Sequence, residues 1–291
     1  MSKYAYFRKI LNIFKKPLLK NDKNHLFTLW ISDNNELPEL QYLSLKSMLL
    51  TGHEVTLYTY SDLNNVPKGI KVEDANKILD KSKIFTYKDG FNKGSYSGFA
   101  NWFRVKCLYE KGLTWFDCDI IAINNINDIA NDNFIIASEY DPKKNIYPTN
   151  GVLRLKKRDV LLKEMLIHME RVEDNISHGE TGPRLLKYLL DNKFSDYSIY
   201  LKNPNFMASI NYYDYKNFLK PSNEIVPLLN FEEIWGFHIW NAMFREHGNG
   251  HEKADNGFYY DLKMAILKSF NKEEYEKRIE EIKKFNISSK N

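Results

Sequence analysis

Two aspartates separated by one residue, Asp117 and Asp119, follow a short apolar segment in the middle of the chain. The segment Leu113 to Phe116 is typical of a buried strand, so both aspartates fall where the strand leaves the core. Side chains alternate along extended backbone, and the two carboxylates therefore point the same way. Two carboxylates at the carboxyl edge of an α/β sheet suit Mg²⁺ or Mn²⁺ with phosphate oxygens as further ligands. The spacing predicts a metal site for a nucleoside diphosphate, although the same pair is also common in solvated loops.

Two more residues are candidates for the same site. Arg104 lies on the predicted helix before the strand, where its guanidinium could complement phosphate or sugar oxygens. His238 lies in the aromatic sequence WGFHIWN, and its imidazole would complete a mixed oxygen and nitrogen shell that favours Mn²⁺ over Mg²⁺. A surface arginine and a packed core histidine are the alternatives, because separation in sequence does not fix distance in space.

The surrounding elements predict an α/β fold. A buried strand over His25 to Ile31, a helix over Pro38 to Leu50 and a strand over Glu54 to Tyr60 form a β-α-β unit. Such a unit implies parallel strands and a right-handed crossover, with binding loops at the carboxyl ends of the strands, near Trp30. The loop Gly90 to Gly98 can close over a ligand, but it lacks the G-K-[ST] sequence of a P-loop.

The pattern also predicts the elements that follow the aspartates. These are strands over Phe134 to Ser138 and Gly151 to Leu155, helices over Asp159 to Arg171 and Arg184 to Leu190, a turn over His178 to Pro183, and a helical tail over Phe258 to Phe285. We therefore predict a basic N-terminal segment at 1–20, one α/β domain at 21–250 and a helical C-terminal extension at 251–291.

Composition limits the class of protein. The 291 residues, 43% of them hydrophobic, suffice for one sizeable core, and a net charge of +4 is too small to argue for nucleic acid as a partner. The two cysteines, Cys107 and Cys118, offer neither a disulfide framework nor a zinc pattern, so we expect free thiols in a cytoplasmic protein. The basic, amphipathic segment Tyr4 to Leu19 is either a membrane-surface helix at the inner face of the cytoplasmic membrane or a helix docked on its own domain.

Three stretches of the sequence resemble one enzyme family. They are LWIS at Leu29 to Ser32, GHEVTLYTYSDL at Gly52 to Leu63 and, most specifically, FANWFRVKCLYEKGLTWFDCDII at Phe99 to Ile121. On these, the chain resembles the family 32 glycosyltransferases, a DXD-motif group of bacterial surface-polysaccharide enzymes, and more distantly the large clostridial glucosylating toxins. The resemblance implies a GT-A fold of Rossmann-like, nucleotide-sugar-binding type that uses a nucleotide sugar and usually Mn²⁺.

The resemblance also implies roles on the donor side. Trp30 would stack on uracil or another base, Asn101 and Arg104 would meet the donor sugar or its diphosphate, and Asp117 would meet the ribose or sugar. The family often has Asp at the position of Asn101, so a charged acceptor is replaced by a neutral amide that can also donate. The donor sugar is therefore left open.

For the metal and the acceptor, the resemblance implies four further positions. Asp119 would bind the metal, and His238 would be the C-terminal ligand of the metal or the diphosphate. Asn150 and Glu180 would line the acceptor side.

The predicted function is a retaining glycosyltransferase, of hexosyltransferase type, in which Asp117, Asp119 and Arg104 are the catalytic residues. It would move a sugar from a UDP-sugar to a hydroxyl of a glycan or lipid-linked glycan acceptor, in capsule or lipopolysaccharide (lipooligosaccharide) synthesis, with a metal neutralising the departing diphosphate. One alternative is a metal-dependent phosphodiesterase or nucleotide-sugar hydrolase, which would need more carboxylate and histidine ligands. The other is an inactive sugar-nucleotide-binding protein, suggested by Asn101.

Overall fold

A mixed sheet forms the centre of the fold. The structure is a computed structural model that describes residues 3–16, 25–130, 132–248 and 250–287. Within these residues the strands are β1 (His25–Trp30), β2 (Glu54–Thr59), β3 (Lys71–Asp74), β4 (Thr114–Phe116), β5 (Ile120–Ala122), β6 (Ile135–Tyr140), β7 (Ile146–Arg154) and β8 (Gly236–His238). Six of them lie side by side in the order β3-β2-β1-β4-β7-β6, while β5 and β8 form a separate antiparallel pair.

Helices cover both faces of this sheet. They are α1 (Lys3–Ile13), α2 (Glu39–Leu50), α3 (Ser97–Lys111), α4 (Ile126–Ile129), α5 (Val160–Val172), α6 (Leu185–Asn192), α7 (Asn205–Ala208), α8 (Ser222–Ile225), α9 (Asn241–His247), α10 (Phe258–Lys268) and α11 (Lys272–Ile287). No helix of the described residues is both long enough and apolar enough to span a membrane.

Two hydrophobic cores lie on opposite faces of the sheet. Leu26 belongs to the core that includes α2, α8 and α10, whereas its neighbour Phe27 belongs to the core that includes α3, α5 and α6. This division follows from the alternation of side chains along β1. Because β1 pairs in parallel with both β2 and β4, the carboxyl ends of these three strands lie at one edge, as the β-α-β pattern predicts. The α/β prediction is confirmed.

The turn into β4 differs from the prediction at one residue. Leu113 was expected in the buried strand, but it is 43% exposed and has a φ of 69°. Helix α3 ends at Lys111, and Gly112 caps it with a positive φ of 71°. A Cβ at Gly112 would lie 3.2 Å from the backbone nitrogen of Lys157. The chain reverses through these two residues, so the strand begins only at Thr114.

Strand β7 is longer than predicted, and its length matters for the site. It begins at Ile146 rather than Gly151, so that Thr149 and Asn150 belong to the strand and not to a preceding loop. It pairs antiparallel with β4, and the Asp117 amide donates to the carbonyl oxygen of Gly151 at 2.9 Å. This pairing places the β7 residues beside the end of β4.

The N-terminal helix is docked on its own domain. Ile10 and Phe14 are fully buried, and α1 contacts α8 and α10, while Arg8 and Lys9 are exposed. Of the two alternatives for this segment, the structure shows the docked helix for residues 3–16; the predicted stretch 17–20 lies outside the described residues.

The C-terminal helices α10 and α11 are the predicted helical tail. Phe258 and Leu262 of α10 are fully buried within the core that contains α2, and α11 contacts α2 and β2. The packing therefore continues across the domain boundary predicted near residue 250.

Candidate metal centre and cleft

Asp117, Asp119 and His238 come together at the carboxyl end of β4. One potential ligand atom from each residue lies within 4.8 Å of those of the other two. The pairing of β5 with β8 produces this arrangement, because Ile120, next to Asp119, is directly opposite His238 in the ladder. The Nε2 atom of His238 lies 3.1 Å from an Asp119 oxygen, and the other oxygen of Asp119 accepts the Asn241 amide at 3.1 Å.

These side chains fit a divalent cation. Two carboxylates and an imidazole are donors that Mn²⁺ accepts, and three protein ligands leave positions for water and phosphate oxygens. The Nδ1 atom of His238 is buried and has no hydrogen-bond partner among the described residues, which is costly. Without a cation, a protonated His238 forms an ion pair with Asp119.

Arg104 fixes the orientation of Asp117. Its guanidinium, whose side chain is only 4% exposed, donates to one Asp117 oxygen and also to the Asn150 carbonyl oxygen at 2.6 Å. The indole of Trp115 donates to the same Asp117 oxygen at 2.9 Å, and the guanidinium lies 4.9 Å from the centre of that ring system. Both donors use one oxygen, so the second oxygen of Asp117 is left for a ligand.

The protonation of the three residues is strongly coupled. Burial raises the pKa of Asp117, and the positive charge of Arg104 opposes this rise. Burial would also raise the pKa of Asp119, but the interactions with His238 and the Asn241 amide outweigh it and lower the pKa. The pKa of His238 is raised: burial acts against its charge, and the attraction of Asp119 prevails. Asp119 is therefore ionised in this arrangement.

A cleft of about 890 Å³ opens above these residues. It is lined by seven of the eight site residues that the sequence predicted, namely Trp30, Asn101, Arg104, Asp117, Asp119, Asn150 and His238. The Asn150 amide donates to the Asn101 side-chain oxygen at 2.9 Å, so two of the predicted residues contact each other directly. Gly182 packs against the side-chain amide of Asn101, because a Cβ at position 182 would lie 2.8 Å from the amide nitrogen.

Glu180 is the exception. It does not line the cleft, and its carboxylate instead accepts hydrogen bonds from the backbone and hydroxyl of Ser177 within its own turn. The turn does approach the cleft, but through Gly179 and Pro183. The structure therefore does not bring Glu180 together with the other predicted residues.

Trp30 lies at the carboxyl end of β1 and forms part of the cleft wall. Its indole nitrogen is buried and has no hydrogen-bond partner among the described residues. The part of the ring that lines the cleft is an apolar aromatic surface, which suits contact with a planar base.

The loop after β3 that contains the Gly90 to Gly98 segment lines part of the cleft. The Tyr96 hydroxyl donates to Asp33 at 3.0 Å, and Asn92 contacts His178 at 3.3 Å. Arg245 of α9 donates to the Asn92 side-chain oxygen. The loop is thus held at three separate parts of the rim.

Several cleft residues were not predicted from the sequence. They are Glu139 on β6, Tyr212, and the residues that follow β8, Trp240 and Arg245. Trp240 has a positive φ of 59°, and its indole donates to the Ile210 carbonyl oxygen at 2.7 Å. The aromatic sequence around His238 was a signal for Trp240, whereas nothing in the sequence distinguishes Glu139 from a solvated acid.

Comparisons with known proteins give a partial likeness. No protein-family model and no curated protein matches the sequence. Among solved structures, the chain resembles PaToxG Glycosyltransferase, with 14% identity over 68% of this chain and 84% of that one, at a TM-score of 0.41. It also resembles the apo-form glycosyltransferase GlyE of Streptococcus pneumoniae TIGR4, with 13% identity, at a TM-score of 0.49. That match covers 92% of this chain and 64% of GlyE. Likenesses this distant carry no functional conclusion, and the resemblance to family 32 and the toxins is not confirmed by them.

Proposed function

We propose that this chain is a metal-assisted glycosyltransferase that uses a nucleoside diphosphate sugar, with a UDP-sugar as the donor. The observation that carries the proposal is the cluster of Asp117, Asp119 and His238 in a cleft whose wall includes Trp30 and whose floor includes Arg104. A nucleotide sugar needs an aromatic face for its base, positive charge for its diphosphate and hydrogen-bonding groups for its sugar, arranged along one cleft. The cleft offers all three.

The roles of the chain's own residues follow from their positions. Asp119 and His238 would hold Mn²⁺ or Mg²⁺, with Asp117 close by and oriented by Arg104. A bound cation would stabilise the negative charge that develops on the leaving diphosphate. Arg104 keeps Asp117 in place and adds positive charge beneath the site. Asn101 and Asn150 present amide groups to the sugar side.

Three finer points belong to the proposal. We expect the anomeric configuration to be retained and the acceptor to be a hydroxyl of a surface glycan or lipid-linked glycan, in capsule or lipooligosaccharide synthesis. We also expect a cytoplasmic enzyme. Contact with the inner face of the membrane would have to involve exposed basic side chains such as Arg8 and Lys9, because the apolar side of α1 is packed on the domain.

A hydrolase is the weaker candidate. Metal-dependent phosphodiesterases that activate water gather more carboxylate and histidine ligands than the three side chains that cluster in the described part of this chain.

Product analysis separates these functions. The protein is incubated with a panel of UDP-sugars and Mn²⁺, with and without a mixture of simple glycosides, and the products are identified by mass spectrometry. A glycosyltransferase gives UDP and an extended glycoside, and release of UDP that is unaffected by every glycoside would favour the hydrolase. Unchanged donor with every UDP-sugar would contradict the proposal.

A further inference from the structure

The cleft crosses the sheet from one strand to another. Trp30 ends β1, Asp117 follows β4, Asn150 is on β7, and Glu139 is on β6, and these four strands are successive neighbours. Adjacent strands are about 4.8 Å apart, so Glu139 lies on a strand roughly 14 Å from the strand of Trp30. A donor with its base at Trp30 and its diphosphate at the metal centre extends toward β6.

Glu139 is an acidic residue of the cleft. Its side chain lines the cleft and accepts no hydrogen bond from the described residues. Burial raises its pKa to about 7, with the charge of His238 opposing this rise. Glu139 is partly exposed, so its carboxyl group can accept hydrogen bonds from a ligand in the cleft.

The neighbours of Glu139 indicate which ligand fits. A phosphate would be repelled by a carboxylate, so the diphosphate belongs beside Arg104 and the metal ligands rather than here. Glu139 is also not among the three residues whose ligand atoms cluster for a metal. Tyr212 and Trp240 line the same cleft as an aromatic pair with ring centroids 6.1 Å apart, the Trp240 ring also packing 3.8 Å from the His238 ring, and Thr149 offers a hydroxyl. A sugar has both properties that this part of the cleft requires. Its hydroxyl groups can donate to the carboxylate, and the apolar face of its ring can pack on aromatic side chains.

We propose that Glu139 binds a hydroxyl group of the acceptor sugar, in a subsite whose aromatic walls are Tyr212 and Trp240. This inference rests on the proposed function and deepens it: the acceptor would be a glycan whose terminal sugar is neutral at this position. Glu139 thereby becomes a determinant of acceptor specificity, separate from the donor and metal residues.

Ligand binding by the Glu139→Gln variant tests this. Calorimetry measures the affinity for UDP, and saturation-transfer NMR then measures binding of methyl glycosides of glucose, galactose and N-acetylglucosamine to the UDP complex. Mg²⁺ replaces Mn²⁺ for the NMR experiment, since Mn²⁺ is paramagnetic. Glu110→Gln, at a glutamate near the end of α3 outside the cleft lining, is the matched control.

We expect at least one glycoside to bind the wild type, and Glu139→Gln to weaken that binding tenfold or more while its UDP affinity stays unchanged. The unchanged UDP affinity also shows that the variant is folded. Tyr212→Ala, which removes one aromatic wall, should weaken the same glycoside without changing UDP affinity.

Three results would overturn the inference: equal glycoside binding by Glu139→Gln and wild type, loss of UDP affinity in a variant with an unchanged unfolding temperature, or no glycoside bound by a wild type that binds UDP. A wild type that does not bind UDP would instead remove the proposed function on which the inference rests.

Discussion

Arg104 is the residue on which the geometry of the candidate site depends. Its buried guanidinium joins the Asp117 carboxylate to the Asn150 carbonyl, and so links helix α3 to strands β4 and β7. A buried charge pair is retained where its geometry is needed, since apolar packing would often be at least as stable. Arginine suits this position because the rigid, planar guanidinium directs two nitrogens at two acceptors in a fixed geometry, whereas the lysine ammonium is a compact charge on a flexible stem.

Replacing Trp30 should weaken nucleotide binding. Trp30→Ala removes the aromatic face at the end of β1, and we expect UDP affinity to fall by roughly 1–3 kcal/mol, the usual value of one base stacked on an aromatic ring. Trp30→Phe should retain part of the affinity. Calorimetric titration with UDP and Mn²⁺ measures the effect, with Tyr188→Ala, an exposed aromatic on α6, as the control. Equal UDP affinity in Trp30→Ala and wild type would refute base stacking at this residue.

At the scale of single residues, sequence patterns placed residues at the ends of strands better than residues in turns. The aspartates follow an apolar strand and Trp30 ends another, so their place at the sheet edge follows from periodicity. Glu180 lies in a turn, where the direction of a side chain depends on local hydrogen bonds such as those to Ser177. Glu139 gave no signal, because a strand in an antiparallel pair carries polar residues whether or not they face a cleft.

Among the elements, the turn between α2 and β2 shows how the parallel strands β1 and β2 and their helix are joined to α4. The buried His53 ring accepts the Ile126 amide at Nε2, at 3.0 Å, so its proton is on Nδ1, which faces the Met48 carbonyl oxygen at 3.0 Å. One neutral ring thus forms hydrogen bonds with a carbonyl group near the end of α2 and with an N–H group at the start of α4. A second proton on the ring would face the Ile126 N–H group, and this arrangement excludes it.

His53 should make the protein sensitive to acid. Burial lowers its pKa from 6.5 to about 3, so between these values the unfolded chain binds a proton that the folded protein does not. The free energy of unfolding therefore falls as the pH decreases below 6.5, by about 1.4 kcal/mol per pH unit from this residue. Urea unfolding at about pH 7 and about pH 5 should show a loss about 2 kcal/mol larger in the wild type than in His53→Gln.

The exposed His247 provides the control for this experiment: His247→Gln should lose as much stability as the wild type. An equal loss in His53→Gln and wild type would show that His53 is protonated in the folded protein.

Across the whole molecule, elements from both ends of the described chain complete one core. Helix α1 packs on α10, and Ile10, Phe14, Phe258 and Leu262 belong to the same hydrophobic cluster as the residues of α2. Burial of apolar surface stabilises such contacts by roughly 25 cal/mol per Å². The N-terminal helix is therefore part of the folded unit.

Ile10→Ala measures how much α1 contributes to stability. Ile10 is fully buried, so we expect the free energy of unfolding to fall by roughly 2–5 kcal/mol, the usual cost of truncating a buried isoleucine. Arg8→Ala, at an exposed position on the same helix, should change it by no more than about 0.5 kcal/mol. Chemical denaturation of the three proteins gives both values. If Ile10→Ala is as stable as the wild type, α1 is not docked in solution.

Sequence patterns predicted the α/β class and the parallel half of the molecule, because β1, α2 and β2 are apolar segments of the right lengths that lie close together in sequence. They did not reveal the pairing that brings the candidate metal ligands together. Strands β5 and β8 have three residues each and are more than a hundred residues apart, so neither carries a periodic signal. His238 was found from residue type and resemblance, and its contact with Asp119 depends on this long-range pairing.

The central claim is that Asp117, Asp119 and His238 bind a divalent cation that in turn binds a nucleoside diphosphate. Calorimetric titration of UDP into the protein, with Mn²⁺ and then with EDTA, tests it most directly when repeated on Asp119→Asn and on the control Asp255→Asn, an exposed aspartate. We expect UDP to bind the wild type and Asp255→Asn only with Mn²⁺, and Asp119→Asn to lose this binding while it unfolds at a similar temperature. UDP binding that is unaffected by EDTA, or that survives in Asp119→Asn, would contradict it.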